Sequence, residues 1–165
     1  MGEVMSRAFV KENDGDLPEE LPERPVSEHP NFVTPRGLKL IEDEVHRLEG
    51  AREKSLQAEE KSVQATIDRD LRYWRQRRAT ARLVNPAAQP SKVRFGMHVR
   101  LQHSHSPDTR EFKLVGEDEA SPGNGLISWV SPVGQQLLGR EVGDEVNVLQ
   151  ETYEVVEIRS DEMTR

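Results

Sequence analysis

Six arginines fall between positions 69 and 82, at Arg69, Arg72, Arg75, Arg77, Arg78 and Arg82, with Tyr73 and Trp74 set among them. Guanidinium groups grip phosphates through paired hydrogen bonds and aromatic rings stack on bases, so this pattern could hold a nucleic acid. It could equally be a solvated helix face or a contact to an acidic protein surface. Two further glutamates, Glu59 and Glu60, stand where a turn between helices is expected; an acidic pair there could meet a divalent cation, although exposed carboxylates at a turn are ordinarily just solvated. His98, His103, His105 and Asp108 are close in sequence, yet residues 98 and 103 point to opposite faces of a regular strand, and sharing a metal would require a bend. The glycines from Gly116 to Gly125 lack phosphate-loop spacing, and no serine, histidine and carboxylate grouping emerges. We therefore expect no catalytic residue, no metal site and no cofactor, and a protein that is not an enzyme.

The chain that must position these groups has 165 residues, room for one ordinary domain or for a small domain with an elongated accessory element. Hydrophobic residues make up 34% and charged ones 32%, which is lean for a globule and suits a chain rich in exposed helix or tail. The net charge of −7 is unevenly spread: residues 1–34 carry eight acidic and three basic groups, residues 85–165 carry thirteen and eight, and residues 35–84 reverse the sign with nine and twelve. A basic segment is thus left available to a polyanion. Cysteine is absent, which removes disulfides and thiolate sites and suits a reducing compartment. No apolar run approaches membrane-spanning length, and the start of the chain lacks a hydrophobic core with a cleavage site. The expectation is a cytoplasmic monomer that engages no membrane.

Pro18, Pro22, Pro25 and Pro30, with acidic groups between them, mark residues 1–33 as an acidic leader without regular structure. Thr34-Pro35 opens a helix, threonine as N-cap and proline at the first turn. Leu38, Ile41, Val45 and Leu48 make one apolar stripe, and Val63, Ile67, Leu71 and Trp74 make a second with the same rhythm. Trp74 is on that stripe, so core packing explains it better than a platform for bases. Two such narrow seams bury each other as an antiparallel hairpin, a short coiled coil over 34–85 with its tip between Ser55 and Ser62. Asn85-Pro86 ends the second helix, residues 86–92 form a linker, and from Val93 the period changes to two. Met97, Val99 and Leu101, then Phe112 and Leu114, then Val146 and Val148, then Tyr153 to Ile158 read as strands, while Ser131-Pro132 opens a short helix that stops at Gly139. The fold class is α+β: a helical hairpin, then a small antiparallel β domain with one short helix over 93–160, and a tail at 161–165.

Three fragments carry a resemblance. Arg94-Phe95-Gly96, Val115-Gly116-Glu117-Asp118-Glu119-Ala120, and Ile127-Ser128-Trp129-Val130-Ser131-Pro132 running on to Leu138-Gly139 resemble, in order and spacing, the C-terminal domain of the bacterial Gre transcript-cleavage factors. The match runs from Arg94 to Ile158 and more loosely over Thr34-Pro35-Arg36-Gly37-Leu38; Met5-Ser6-Arg7-Ala8-Phe9-Val10-Lys11-Glu12 also looks like the start of some relatives, which would make Met5 the initiator. The resemblance implies an FKBP-like C-terminal domain that docks at the secondary channel of RNA polymerase through the region of Val130, Ser131 and Pro132. Many relatives carry a polar residue where Val130 stands. It further implies a hairpin that enters the channel, where the arginines could meet nucleic acid of the transcription complex.

At its tip the family carries an Asp-Leu-Ser-Glu-Asn-Ala-Glu-Tyr type motif, whose acidic pair holds a second magnesium so that the polymerase cuts its own backtracked RNA. That motif is absent from this chain, where the nearest acidic residues are Glu53, Glu59, Glu60, Asp68 and Asp70. About 20 residues per helix give an arm of about 30 Å, short for the family and similar to short-coil relatives such as the Rnk protein. The expectation is a Gre-type elongation regulator; the alternative is a channel binder that does not stimulate cleavage. A third reading, a peptidyl-prolyl isomerase, needs an aromatic-lined pocket and is disfavoured by an aromatic content of 5%.

Overall fold

The computed structural model describes residues 21–85 and 90–161. The hairpin consists of α1 (Pro35–Gln57) and α2 (Lys61–Thr80). Thr34 caps α1, its hydroxyl oxygen accepting from the Gly37 N–H at 2.9 Å, and Pro35 occupies the first turn. Ala58, Glu59 and Glu60 make the reversal, and Glu59 takes it with a φ of 56°. Val45, Leu48, Ile67 and Leu71 form one buried cluster between the helices, with Ala51 and Trp74 packed beside it and Ile41 also fully buried. Val63 departs from its expected place on the seam: it is 43% exposed. Near the tip α1 offers Ser55 rather than an apolar side chain, and the contact there is a hydrogen bond from Gln64 Nε2 to the Ser55 carbonyl at 2.9 Å.

The end of the acidic leader is not free of structure, which corrects the expectation for residues 31–33. Phe32–Val33 form β1, which pairs in parallel with β2 (Arg82–Leu83), and Asn31 and Val33 are buried. Asn31 Nδ2 donates to the Arg77 carbonyl at 2.7 Å and to Thr80 Oγ1 at 3.2 Å, satisfying a carbonyl that the end of α2 would otherwise leave open. Proline content signals the absence of a helix, and a two-residue strand held by a distant partner is invisible to it. Residues 1–20, Met5 among them, lie outside the described residues, as do 86–89 of the expected linker and 162–165 of the expected tail.

The C-terminal domain is a five-stranded sheet in the order β5-β4-β3-β7-β6, built from β3 (His98–His103), β4 (Thr109–Val115), β5 (Leu126–Ser128), β6 (Glu145–Val148) and β7 (Glu151–Arg159). β3 is central and antiparallel to both neighbours, with a register shift between Arg100 and Leu101 against β7. The sheet is mixed rather than wholly antiparallel, because β4 and β5 run parallel. Residues 116–125 between them contain two 3₁₀ turns, Glu117–Glu119 and Pro122–Asn124, a connection long enough to carry the chain back along the sheet. Val99, Leu101, Leu114, Leu137 and Val155 are fully buried at the centre of this core. α3 (Pro132–Leu137) is capped by Ser131, whose Oγ accepts from the Gly134 N–H at 3.1 Å, and it closes over one face. Gly134 is required there: a Cβ would come within 2.2 Å of the Ser128 carbonyl oxygen.

Candidate functional site

The 3₁₀ turn Glu117–Glu119 is where the two parts of the molecule meet. Arg77, on the last turn of α2 and only 2% exposed, donates from Nε to Asp118 Oδ2 at 2.5 Å and lies 3.7 Å from Glu117. Tyr73, one helical turn earlier, donates its hydroxyl to Asp118 Oδ1 at 2.7 Å. Burial and then this carboxylate push the phenol up to about 12, so Tyr73 stays a donor throughout the physiological range. Glu119 serves the other helix: its Oε2 accepts from Thr34 Oγ1 at 2.5 Å, and Arg36 lies 3.6 Å from its second oxygen. Thr34 thus caps α1 and donates to the β domain at once.

Two glycines make this approach possible, since a Cβ at Gly37 would lie 2.7 Å from Glu119 Oε2 and one at Gly116 would lie 2.5 Å from the Phe32 carbonyl oxygen. Aromatic contacts close the seam, with Phe32 packed 5.9 Å from Phe95 and 5.2 Å from Trp129. This acidic triplet stands in the sequence as a recognition motif without a role. The signal that could have revealed one is the helical spacing of Tyr73 and Arg77, which puts a donor and a cation on one edge of α2.

Arg77 must accordingly be removed from the arginines available to a partner, because its guanidinium is buried against two carboxylates. Arg69 is half-buried and bonds Asp70 at 2.9 Å. Arg75 reaches across to Glu49 on α1 at 2.8 Å, and Arg72 is paired with Glu23. Arg78 and Arg82 are exposed and have no side-chain hydrogen bond or ion pair among the described residues. The outward cations of this region are therefore Arg72, Arg75, Arg78 and Arg82. Trp74 packs on the hairpin cluster.

At the tip, Glu59 and Glu60 are exposed, and neither carboxylate has a hydrogen-bond partner among the described residues. Two adjacent carboxylates on a turn, unsupported by any neighbour, are a poor match to the ordered oxygen set that magnesium demands. His103 and His105 meet, their ring centroids 6.1 Å apart and the His105 N–H donating to His103 Nδ1 at 3.1 Å, but His98 stands apart from them. His98 lies between Asp161, 2.7 Å from Nε2, and Glu111, 3.3 Å from Nδ1, whereas the His103 ring packs edge-on against Tyr153 at 5.1 Å.

Val130, Ser131 and Pro132 sit at the turn between β5 and α3. Ser131 Oγ donates to the Ser128 carbonyl at 2.7 Å while it caps α3, so the turn is held from both sides. Beside it an apolar cavity of about 280 Å³ opens between α3 and the sheet, lined by Phe112, Ile127, Ser131, Val133, Val148 and Leu149. Val130 is half-buried and does not line it.

A helical hairpin fastened by its base to a small mixed-sheet domain defines a two-part class of protein, and comparison places it. Residues 88–160 match the family described as "Transcription elongation factor, GreA/GreB, C-term". The chain is 34% identical over 146 residues to the transcription elongation factor GreA of Desulfovibrio desulfuricans, covering 75% of this chain and 90% of the relative. It is 30% identical over 151 residues to GreA of Halorhodospira halophila, covering 77% and 96%. The chain belongs to the GreA/GreB family. Among solved structures, it is similar to the GreA/GreB factor from Nitrosomonas europaea, with 24% identity, a TM-score of 0.41 and coverage of 78% of this chain and 98% of the other.

Proposed function

We propose that this chain is an RNA polymerase-binding regulator of transcript elongation, not itself an enzyme, which acts as a monomer in the cytoplasm. Its β domain anchors at the polymerase secondary channel through the turn of Val130, Ser131 and Pro132, and its hairpin enters the channel. Arg72, Arg75, Arg78 and Arg82 then face the nucleic acid of the transcription complex. The observation that carries this reading is the match to the GreA relative along 90% of its length, hairpin included. The buried Arg77–Asp118 pair supports it physically, because a probe that must enter a channel needs a fixed attitude to its anchor.

A second observation refines the reading toward a channel binder that does not stimulate cleavage. The helices have 23 and 20 residues, an arm of about 30 to 35 Å at ~1.5 Å per residue. The GreA match spans 146 residues yet uses only 75% of this 165-residue chain, so the relative has residues in the matched region with no counterpart here. Together with the unsupported pair Glu59 and Glu60, this leaves the tip without reach and without a metal-holding set.

The test is transcript cleavage on backtracked elongation complexes, with this chain alone and then in competition with a cleavage-competent GreA. The expected result is no cleavage alone and dose-dependent inhibition of GreA. Strong cleavage by this chain alone would overturn the refinement, and failure to bind polymerase would overturn the proposal itself.

A further inference from the structure

The segment that leads into β1 turns back over the hairpin. Arg72 donates from Nε to Glu23 at 3.0 Å. The guanidinium of Arg24 lies over the Tyr73 ring, 3.9 Å from its centroid and 5.5 Å from that of Trp74, with Asp70 at 3.7 Å. Further on, His29 packs edge-on against Trp129 at a centroid distance of 6.0 Å. Residues 23–29 therefore run from the middle of α2 down to the β domain, over the helix face that carries Arg72 and Tyr73.

The chemistry of this contact is that of a nucleotide. A carboxylate on a guanidinium has the geometry of a phosphate on a guanidinium. A planar, delocalised cation on a tyrosine face occupies the place of a stacked base. The sequence that precedes and includes it is strongly acidic, with eight acidic and three basic residues in positions 1–34. We propose that residues 21–29 are an intramolecular competitor, a strap that holds the arginine and aromatic face of α2 in place of a single-stranded nucleic acid, which binds by displacing it. This inference rests on the assignment of that face to nucleic acid made above.

The magnitudes suit a displaceable strap. An exposed ion pair such as Glu23–Arg72, with both side chains more than half exposed, is individually weak. Tethering compensates, because a segment joined to its site through β1 acts at an effective concentration in the millimolar range. A strand of nucleic acid that makes several phosphate contacts at once can exceed this, and weak non-specific contacts cannot.

The experiment is fluorescence anisotropy of a labelled short single-stranded oligoribonucleotide titrated with the full chain across a salt series. Glu23→Gln is expected to tighten binding about 3- to 10-fold and to steepen the slope of log K against log salt by about 0.7, one phosphate more neutralised on a single strand. Glu28→Gln, the same charge change at an exposed residue of the same segment, is the control and leaves both unchanged. Arg72→Gln has little effect in the wild-type background and abolishes the gain in the Glu23→Gln background.

Equal gains from Glu23→Gln and Glu28→Gln would reduce the effect to net charge and overturn the strap. Binding by wild type and Glu23→Gln alike, lost when Arg75 and Arg78 are changed to Gln, would leave the nucleic-acid face standing and overturn only the strap. Absence of binding in every variant, or tighter binding of a polyglutamate peptide than of the oligoribonucleotide, would overturn both.

Discussion

Arg77 and Asp118 are 41 residues apart in the chain, yet the Nε of one donates to the carboxylate of the other at 2.5 Å inside the joint between hairpin and sheet. Both side chains are almost wholly buried, at 2% and 8% exposure. A buried pair gains little over an apolar pair of the same volume, but breaking it strands a charge. Asp118→Asn and Arg77→Met, each of which leaves one charge buried without its partner, are therefore each expected to lower the unfolding free energy by about 3 kcal/mol, measured by urea denaturation. Costs below about 1 kcal/mol for both would mean that the pair is loosely solvated.

Alkaline pH tests the second bond to the same carboxylate. The Tyr73 phenol is held near 12 in the folded chain against an ordinary value of about 10. A raised value in the folded state means that its contribution is fully present below about pH 10. It is lost as pH rises toward 12. The urea midpoint should fall across this window, and Tyr73→Phe should flatten most of the fall. Tyr153, raised chiefly by its hydrogen bond to Glu151, leaves a residual slope.

Gly37→Ala sets helix propensity against packing. Alanine in a helix gains about 0.8 to 1 kcal/mol over glycine. The new methyl would stand 2.7 Å from Glu119 Oε2 and would displace a buried carboxylate from Thr34. Hydrogen bonds to charged groups are worth about 1.5 to 3 kcal/mol, so the net effect should be a loss of about 1 kcal/mol in thermal or urea unfolding.

Leu71 is 2% exposed in the hairpin seam, and Leu71→Ala should cost about 2 to 3 kcal/mol. Because Tyr73 and Arg77 on the same helix are bonded into the β domain, the loss of helicity and the change in the near-ultraviolet signal of Trp129 should coincide on one denaturation curve. Separate transitions would show that the joint does not transmit the strain.

At the tip, Glu59→Gln combined with Glu60→Gln should leave competition with GreA unchanged, since neither carboxylate is held by a neighbour. Arg78→Glu, on the exposed face of α2, should weaken it several-fold. The inhibition constant in the cleavage assay reads both.

The features legible in the sequence are those whose causes lie within one helical turn or one strand repeat. Thr34-Pro35 and Ser131-Pro132 start helices because the capping oxygen and the N–H that donates to it are three residues apart, and the seam of Ile41, Val45, Leu48, Ile67 and Leu71 follows from a period of 3.6. The reversal near Glu59 follows from where the two stripes stop. Hidden from the sequence was everything decided by pairing over distance. Val63 keeps the helical rhythm but faces solvent because α1 offers it no apolar partner; Asn31 and Val33 look like leader and are buried by β2 and the end of α2; β5, three residues long, shows no alternation to read and runs parallel to β4 because of the connection between them. Arg77 is the plainest case: its helical spacing from Tyr73 sets the edge of α2 on which it lies, but does not mark it, among six arginines, as the one that is buried. Its fate is set by Asp118, and only the folded chain brings that carboxylate to it, because local periodicity determines which face a side chain takes and not what will stand opposite.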